Sequence, residues 1–138
     1  MSKVRIGIIG IGGRGRGHLY NLNTLNQKRY LGNERKSREF EYPEICYEWY
    51  ADSSLDYDFK ELKDINIEIA AICDTDEKQL REVTEIIKND LSFEIPQKFT
   101  DYRRMLKEVE LDGVIVATPN HLHKEIVTAV LKEDKYVL

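Results

Sequence analysis

"VRIGIIGIGGRGRGHLYNL", residues 4–22, runs from an apolar stretch through a chain of glycines into a segment with leucines at helical spacing. The opening "VRIGIIG" reads as a buried strand, and "HLYNLNTL" brings Leu19, Tyr20 and Leu22 near one helical face. Between them Gly10, Gly12 and Gly15 stand at Gly-x-Gly-x-x-Gly spacing. That spacing alone is weak evidence; a preceding strand and a following helix give it meaning. In a doubly wound fold each glycine then has its own task. Gly10 permits the tight turn, Gly12 lets the backbone approach a pyrophosphate, and Gly15 lets the helix pack on the strand. The helix N-terminus offers free N–H groups and a partial positive charge, and Arg14 adds a full charge at the same place. Gly13 and Gly17 are additional, and Gly17 costs about 1 kcal/mol of helix propensity. The bland reading, a glycine-rich turn with no ligand, is disfavoured by the flanking elements.

Outward from this turn the same rhythm repeats. "IEIAAIC" is a second buried strand ending at Asp74, and "DTDEKQLREVTEIIKND" sets Leu80, Val83 and Ile87 on one helical face, with Thr75 or Asp74 as its N-cap. "QKFT" is a short strand. "DYRRMLKEV" is a helix with Tyr102, Met105, Leu106 and Val109 inward and Thr100 or Asp101 as cap. A fourth strand from Gly113 to Ala117 is stopped by Pro119, "HLHKEIVTAVLKED" is its helix, and "KYVL" opens a fifth strand. Alternating strands and helices predict parallel crossovers, hence a three-layer α/β fold, a doubly wound parallel sheet of Rossmann-like type covered on both faces.

One segment breaks the alternation. Residues 26–64 separate the first helix from the second strand, where a few residues normally suffice. They open basic (Lys28, Arg29, Arg35, Lys36, Arg38) and turn acidic and aromatic in "EFEYPEICYEWYADSSLDYDF", which has no lysine or arginine. This is the signature of an insertion. Its tyrosines and Trp49 suit either a surface excursion over the sheet rim or the anchors of a partner or homo-oligomer surface. Helix-to-strand connections leave from the amino ends of the strands, opposite the ligand rim, so the insertion is expected to lie outside any cofactor site.

Composition excludes several classes. The 138 residues suffice for one domain with a core, and a formal charge of −4 without a basic stripe argues against nucleic acid or an anionic membrane as partner. Cys46 and Cys73 stand far apart with no ligand cluster around them, which suggests neither disulfide nor zinc and fits a reducing cytoplasm. "IGIIG" is too short and too broken for a signal-peptide core, and no window approaches a membrane span.

Two further stretches complete a candidate dinucleotide site. An acid at the end of the second strand accepts hydrogen bonds from the adenosine ribose, and Asp74 holds that position, although the insertion destroys the usual spacing of about 20 residues. A carboxylate there favours NAD over NADP. In "ATPNHLH", Pro119 halts the fourth strand and Asn120 presents an amide at the rim where the nicotinamide half would lie. His121 and His123, two apart, diverge on a helix, so they make a poor metal pair. His123 reads as a helix-start residue near the ligand or one satisfied by backbone.

The blocks "IGIIGIGGRGRGH", "AAICDTD", "FTDYRRML" and "DGVIVATPNHLHKEIVTAVLKEDKYVL" together resemble the Gfo/Idh/MocA family of nicotinamide-dependent sugar and inositol oxidoreductases. The resemblance implies that Gly10, Gly12, Gly13 and Arg14 bind the pyrophosphate of NAD, Asp74 the adenosine ribose, and Thr118, Pro119, Asn120 and His123 the nicotinamide end. It implies a hydride transfer to or from a sugar, inositol or related polyol. The insertion departs from the family pattern, and the chain stops at Leu138, where such proteins continue into a Glu-Lys-Pro motif and a substrate domain. Residues 1–138 are therefore expected to be the dinucleotide-binding domain of a longer enzyme, without catalytic residues of their own and inactive alone. A glycosidase that uses NAD transiently, or a non-catalytic NAD-sensing or assembly module, would carry a similar first domain. Fold analogy does not choose among these.

Overall fold

A computed structural model of the chain describes residues 3–26 and 66–138. Nine elements alternate along them: β1 (Lys3–Ile9), α1 (Gly13–Asn26), β2 (Asn66–Cys73), α2 (Glu77–Asp90), β3 (Gln97–Phe99), α3 (Tyr102–Glu108), β4 (Gly113–Val116), α4 (Asn120–Lys132) and β5 (Tyr136–Val137). The expected insertion, residues 26–64, lies outside the described residues except for Asn26. Its position between α1 and β2 is as the sequence predicts.

The strands form one parallel sheet in the order β3-β2-β1-β4-β5. Strand order reverses between β1 and β4, which places a crevice at their carboxyl ends. Each face has its own core. On one side Leu19 of α1 and Leu80, Val83 and Ile87 of α2 pack on Ile8, Ile69, Ile72 and Ile115. On the other, Met105 and Leu106 of α3 and Ile126 and Val130 of α4 pack on Ile9, Ala71, Cys73 and Val114. Strands covered on both faces must be apolar throughout, which is why "IAAIC" and "GVIV" show no alternation.

The pairing of β1 with β2 contains an irregularity. Ile6 pairs with Ile69 but Gly7 pairs with Ala71, so Ala70 is the extra residue. An inserted residue changes which side chains share a face. Accordingly Ile69 and Ile72, three apart, both join the α1–α2 core.

Helix α1 starts at Gly13, so Gly15 and Gly17 lie inside it as the sequence reading places them; packing against the sheet supplies what glycine's propensity lacks. The cap of α2 differs from expectation. Neither Asp74 nor Thr75 fills it: Asp76 does, its carboxylate accepting from the Lys78 N–H at 2.8 Å. Asp101 caps α3 as expected, accepting from the Arg103 N–H at 2.9 Å. Strand β4 ends at Val116, one residue before Ala117, although the Ala117 N–H still donates to the Ile9 carbonyl at 2.8 Å.

Candidate functional site

The carboxyl ends of β1, β2 and β3 are drawn together by backbone hydrogen bonds beyond the ladders. The Gly10 N–H donates to the Cys73 carbonyl at 2.8 Å, and the Asp74 N–H donates to the Phe99 carbonyl at 3.1 Å. The turn that follows β1 is built on glycine for reasons visible atom by atom. Gly10 has φ +91°, and a Cβ there would sit 2.7 Å from the Ala117 carbonyl. Only glycine combines that backbone conformation with that proximity. A Cβ on Gly15 would run into the Gly10 carbonyl oxygen, so the first turn of α1 rests on the end of β1. Gly12 and Gly13 differ, because a Cβ on either would meet nothing within 4 Å. The turn is thus closed beneath Gly10 and Gly15 and open above Gly12 and Gly13.

The open side carries donors. The Arg16 N–H makes a helical bond to the Gly12 carbonyl at 2.9 Å, and the N–H groups ahead of it are those that an α-helix leaves without intrahelical partners. Arg14 is exposed and makes no ion pair among the described residues. One turn on, burial and then the Arg14 charge hold the His18 imidazole below its ordinary pKa, keeping it neutral.

Asp74 lies half-buried directly after β2. Its Oδ2 accepts from the Ile11 N–H at 2.9 Å, and its Oδ1 accepts from the Asp76 N–H at 2.9 Å. The carboxylate is therefore aimed by the glycine turn on one side and by the start of α2 on the other. Relieved of the capping role by Asp76, it retains acceptor capacity for a further donor.

At the end of β4, Thr118 is half-buried and its Oγ1 is buried without a hydrogen-bond partner. A Cβ on Gly10 would come within 2.9 Å of the Thr118 N, so this loop and the glycine turn touch. Pro119 precedes α4 and supplies no side-chain cap. Asn120 is exposed in the first turn. The His123 ring is committed locally, its Nε2 lying 2.7 Å from the Thr118 carbonyl oxygen. With Nε2 donating, the imidazole pins the loop that carries Thr118. His121 points elsewhere and lines a groove of about 530 Å³ with Tyr102 and Arg103. The two histidines diverge as their spacing predicts.

The glycine turn, Asp74 and the Thr118–Asn120 loop thus converge, and a second arginine, Arg16, joins them. Its Nε donates to the Ile11 carbonyl at 3.1 Å, while Nη2 donates to Gln79 and, at 2.8 Å, to Glu82 of α2. Its sequence context does not single it out, because its side-chain partners on α2 are more than sixty residues away. The nearby Cys73 thiol is not activated as a nucleophile: burial first, then the Asp74 and Asp101 charges, push it up to about 12. Among the described residues no group of three His, Cys, Asp or Glu could hold a metal ion, and no helix is long and apolar enough to cross a membrane.

Comparison with known proteins agrees with this architecture. The family model described as oxidoreductase family, NAD-binding Rossmann fold, Gfo/Idh/MocA, matches residues 4–138. No curated protein matches. Among solved structures, a probable dehydrogenase from Thermotoga maritima superposes with TM-score 0.60 at 22% identity, over 97% of this chain and 27% of that one. The WlbA dehydrogenase from Bordetella pertussis, in complex with NADH and UDP-GlcNAcA, gives 0.60 at 17% identity, over 99% and 28%. Scyllo-inositol dehydrogenase from Lactobacillus casei, with NAD(H) and scyllo-inositol, gives 0.58 at 17% identity, over 99% and 27%. At such identities the likeness is one of fold. The chain spans about a quarter of the length of these structures.

Proposed function

The chain belongs to the Gfo/Idh/MocA oxidoreductase family as an NAD-binding Rossmann domain, and from that premise we propose that the site described above seats the dinucleotide of an enzyme oxidising a sugar, inositol or related polyol. The pyrophosphate lies over Gly12, Gly13 and Arg14, with Gly10 and Gly15 shaping the turn beneath it. The Asp74 carboxylate receives the adenosine ribose hydroxyls. Thr118, Pro119 and Asn120 line the nicotinamide end, with His123 holding their loop. The observation that carries this reading is the open backbone above Gly12, bounded by an oriented carboxylate on one side and a buried, unpartnered Thr118 hydroxyl on the other. A donor from the ligand would satisfy Asp74, and the first-turn N–H groups would meet a phosphate.

The hydride chemistry belongs to the nicotinamide, and the protein contributes placement. Removing the hydroxyl proton of an alcohol needs a base within about 3 Å of it. His123 is engaged with the Thr118 carbonyl and His121 lines a different groove, so we assign no catalytic residue among the described residues and place substrate-holding groups in a separate substrate domain. The substrate class is supported by the inositol and nucleotide-sugar ligands in the names of the structural neighbours. The buried free thiol of Cys73 suits a reducing cytoplasm. The test is NADH formation by the whole protein with a panel of polyols and sugars, beside the 138-residue chain. Turnover by the short chain would overturn the assignment of catalysis elsewhere. Absence of turnover by the whole protein with every polyol and sugar would overturn the substrate class.

A further inference from the structure

Ile11 occupies the centre of the turn between β1 and α1 with its side chain fully buried, and both of its backbone polar groups are held by side chains. Its N–H donates to Asp74 Oδ2 at 2.9 Å; its carbonyl accepts from Arg16 Nε at 3.1 Å. The same guanidinium continues to Gln79 and Glu82 on α2, where the Arg16 hydrogen bond holds the Glu82 carboxyl below the usual range. The carbonyl of Ile11 and the N–H of Gly12 belong to one planar trans peptide, so fixing one fixes the other. That matters because Gly12, with no Cβ and nothing near one, offers little resistance of its own to a flip of this peptide.

We propose that Arg16 is a positioning residue for the dinucleotide: it locks the Ile11–Gly12 peptide in the orientation that presents the Gly12 N–H to the pyrophosphate, and it anchors that lock to α2 through Gln79 and Glu82. This rests on the placement of the pyrophosphate at the glycine turn. The two arginines of the turn then divide the work. Arg14, unpaired among the described residues, supplies charge. Arg16 supplies geometry, and a lysine cannot replace it, because one ammonium on a flexible stem does not reproduce a planar fork spanning a carbonyl and two α2 side chains.

The experiment compares NAD, ADP and adenosine binding to the whole protein and to R16M, R16K and E82Q, with thermal unfolding measured for each. ADP retains the diphosphate that the turn would hold; adenosine does not. The expected result is a loss of about tenfold or more in NAD and ADP affinity for R16M and R16K. E82Q shows a smaller loss in the same two ligands, and adenosine binding stays within about twofold throughout. Should R16M fail to fold, R16K and E82Q carry the comparison. Equal losses for adenosine would mean general loosening of the domain, and wild-type affinity in R16K would mean charge alone; either overturns the proposal. If the unaltered protein binds ADP no better than adenosine, the pyrophosphate placement itself falls and Arg16 with it. If it binds ADP better and the variants match it, only the role of Arg16 falls.

Discussion

Gly15 packs so closely against Gly10 that a Cβ on it would run into the Gly10 carbonyl oxygen, whereas a Cβ on Gly12, three residues earlier, would meet nothing within 4 Å. The fold needs a glycine at the first position and leaves room for a side chain at the second. Gly15→Ala is expected to destabilise by about 3 kcal/mol or more, since backbone rather than a flexible side chain must yield. Gly12→Ala is expected to unfold within about two degrees of the parent and to bind NAD at least about tenfold more weakly, its methyl group occupying the place proposed for the pyrophosphate. Thermal unfolding and NADH fluorescence titration of both variants check this. Normal NAD affinity in Gly12→Ala would remove the cofactor from the turn.

The second prediction concerns the choice between NAD and NADP. Asp74 keeps a carboxylate at the end of β2, oriented by the Ile11 and Asp76 N–H groups. A 2′-phosphate about 4 Å from it costs roughly 4 kcal/mol per unit charge at an effective dielectric near 20, more than a lost hydrogen bond returns. NAD should therefore bind in clear preference to NADP, and Asp74→Asn should narrow the gap chiefly by weakening NAD. Titration with both cofactors decides; equal or tighter NADP binding by the parent would take Asp74 out of the ribose site.

A pH dependence follows from His18. Burial, and secondarily Arg14, lower its pKa in the folded state from the ordinary 6.5. Between the lowered value and 6.5 the unfolded chain binds a proton that the folded chain does not, so stability falls as pH drops through that window and levels off below it. Urea midpoints at several pH values between about 7.5 and 5.5 (roughly one unit to either side of the ordinary histidine value) should show this slope in the parent and a shallower one in His18→Gln. Parallel profiles would mean that the imidazole titrates alike in both states.

Much of this architecture was legible in the residues because the signals were local. Leu80, Val83 and Ile87 line one face of α2 as their spacing requires, and Asp101 sits one residue before α3 as a cap should. What escaped was set by contacts across the chain. In "DTD" the expected cap is Thr75 or Asp74; Asp76 fills it instead, while Asp74 faces the Ile11 N–H, 63 positions earlier in sequence. Asn23 of α1 is buried, and its Oδ1 accepts the Ser92 N–H at 2.9 Å, a pairing that local sequence does not signal. Arg16 carried no signal for the same reason, since its partners stand on another helix. The extra residue at Ala70 is invisible in a run apolar on both faces.

The insertion gives the last prediction. Its ends are fixed by described residues: Asn26 closes α1, and its Oδ1 accepts the Ile67 N–H at 2.9 Å, beside the first pairing of β2 with β1, Lys3 with Asn66. Both ends therefore meet at the amino rim of the sheet, the full length of the strands away from Gly12 and Asp74. Replacing residues 28–63 with a short Gly/Ser linker is expected to leave NAD affinity within about threefold, because ligands of this fold bind outside the opposite, carboxyl rim. Keeping Asn26 preserves the hydrogen bond that starts β2. The variant is judged by NADH titration after its unfolding midpoint shows a folded protein. A loss of tenfold or more in such a protein would mean that the inserted segment reaches around the sheet to cover the dinucleotide.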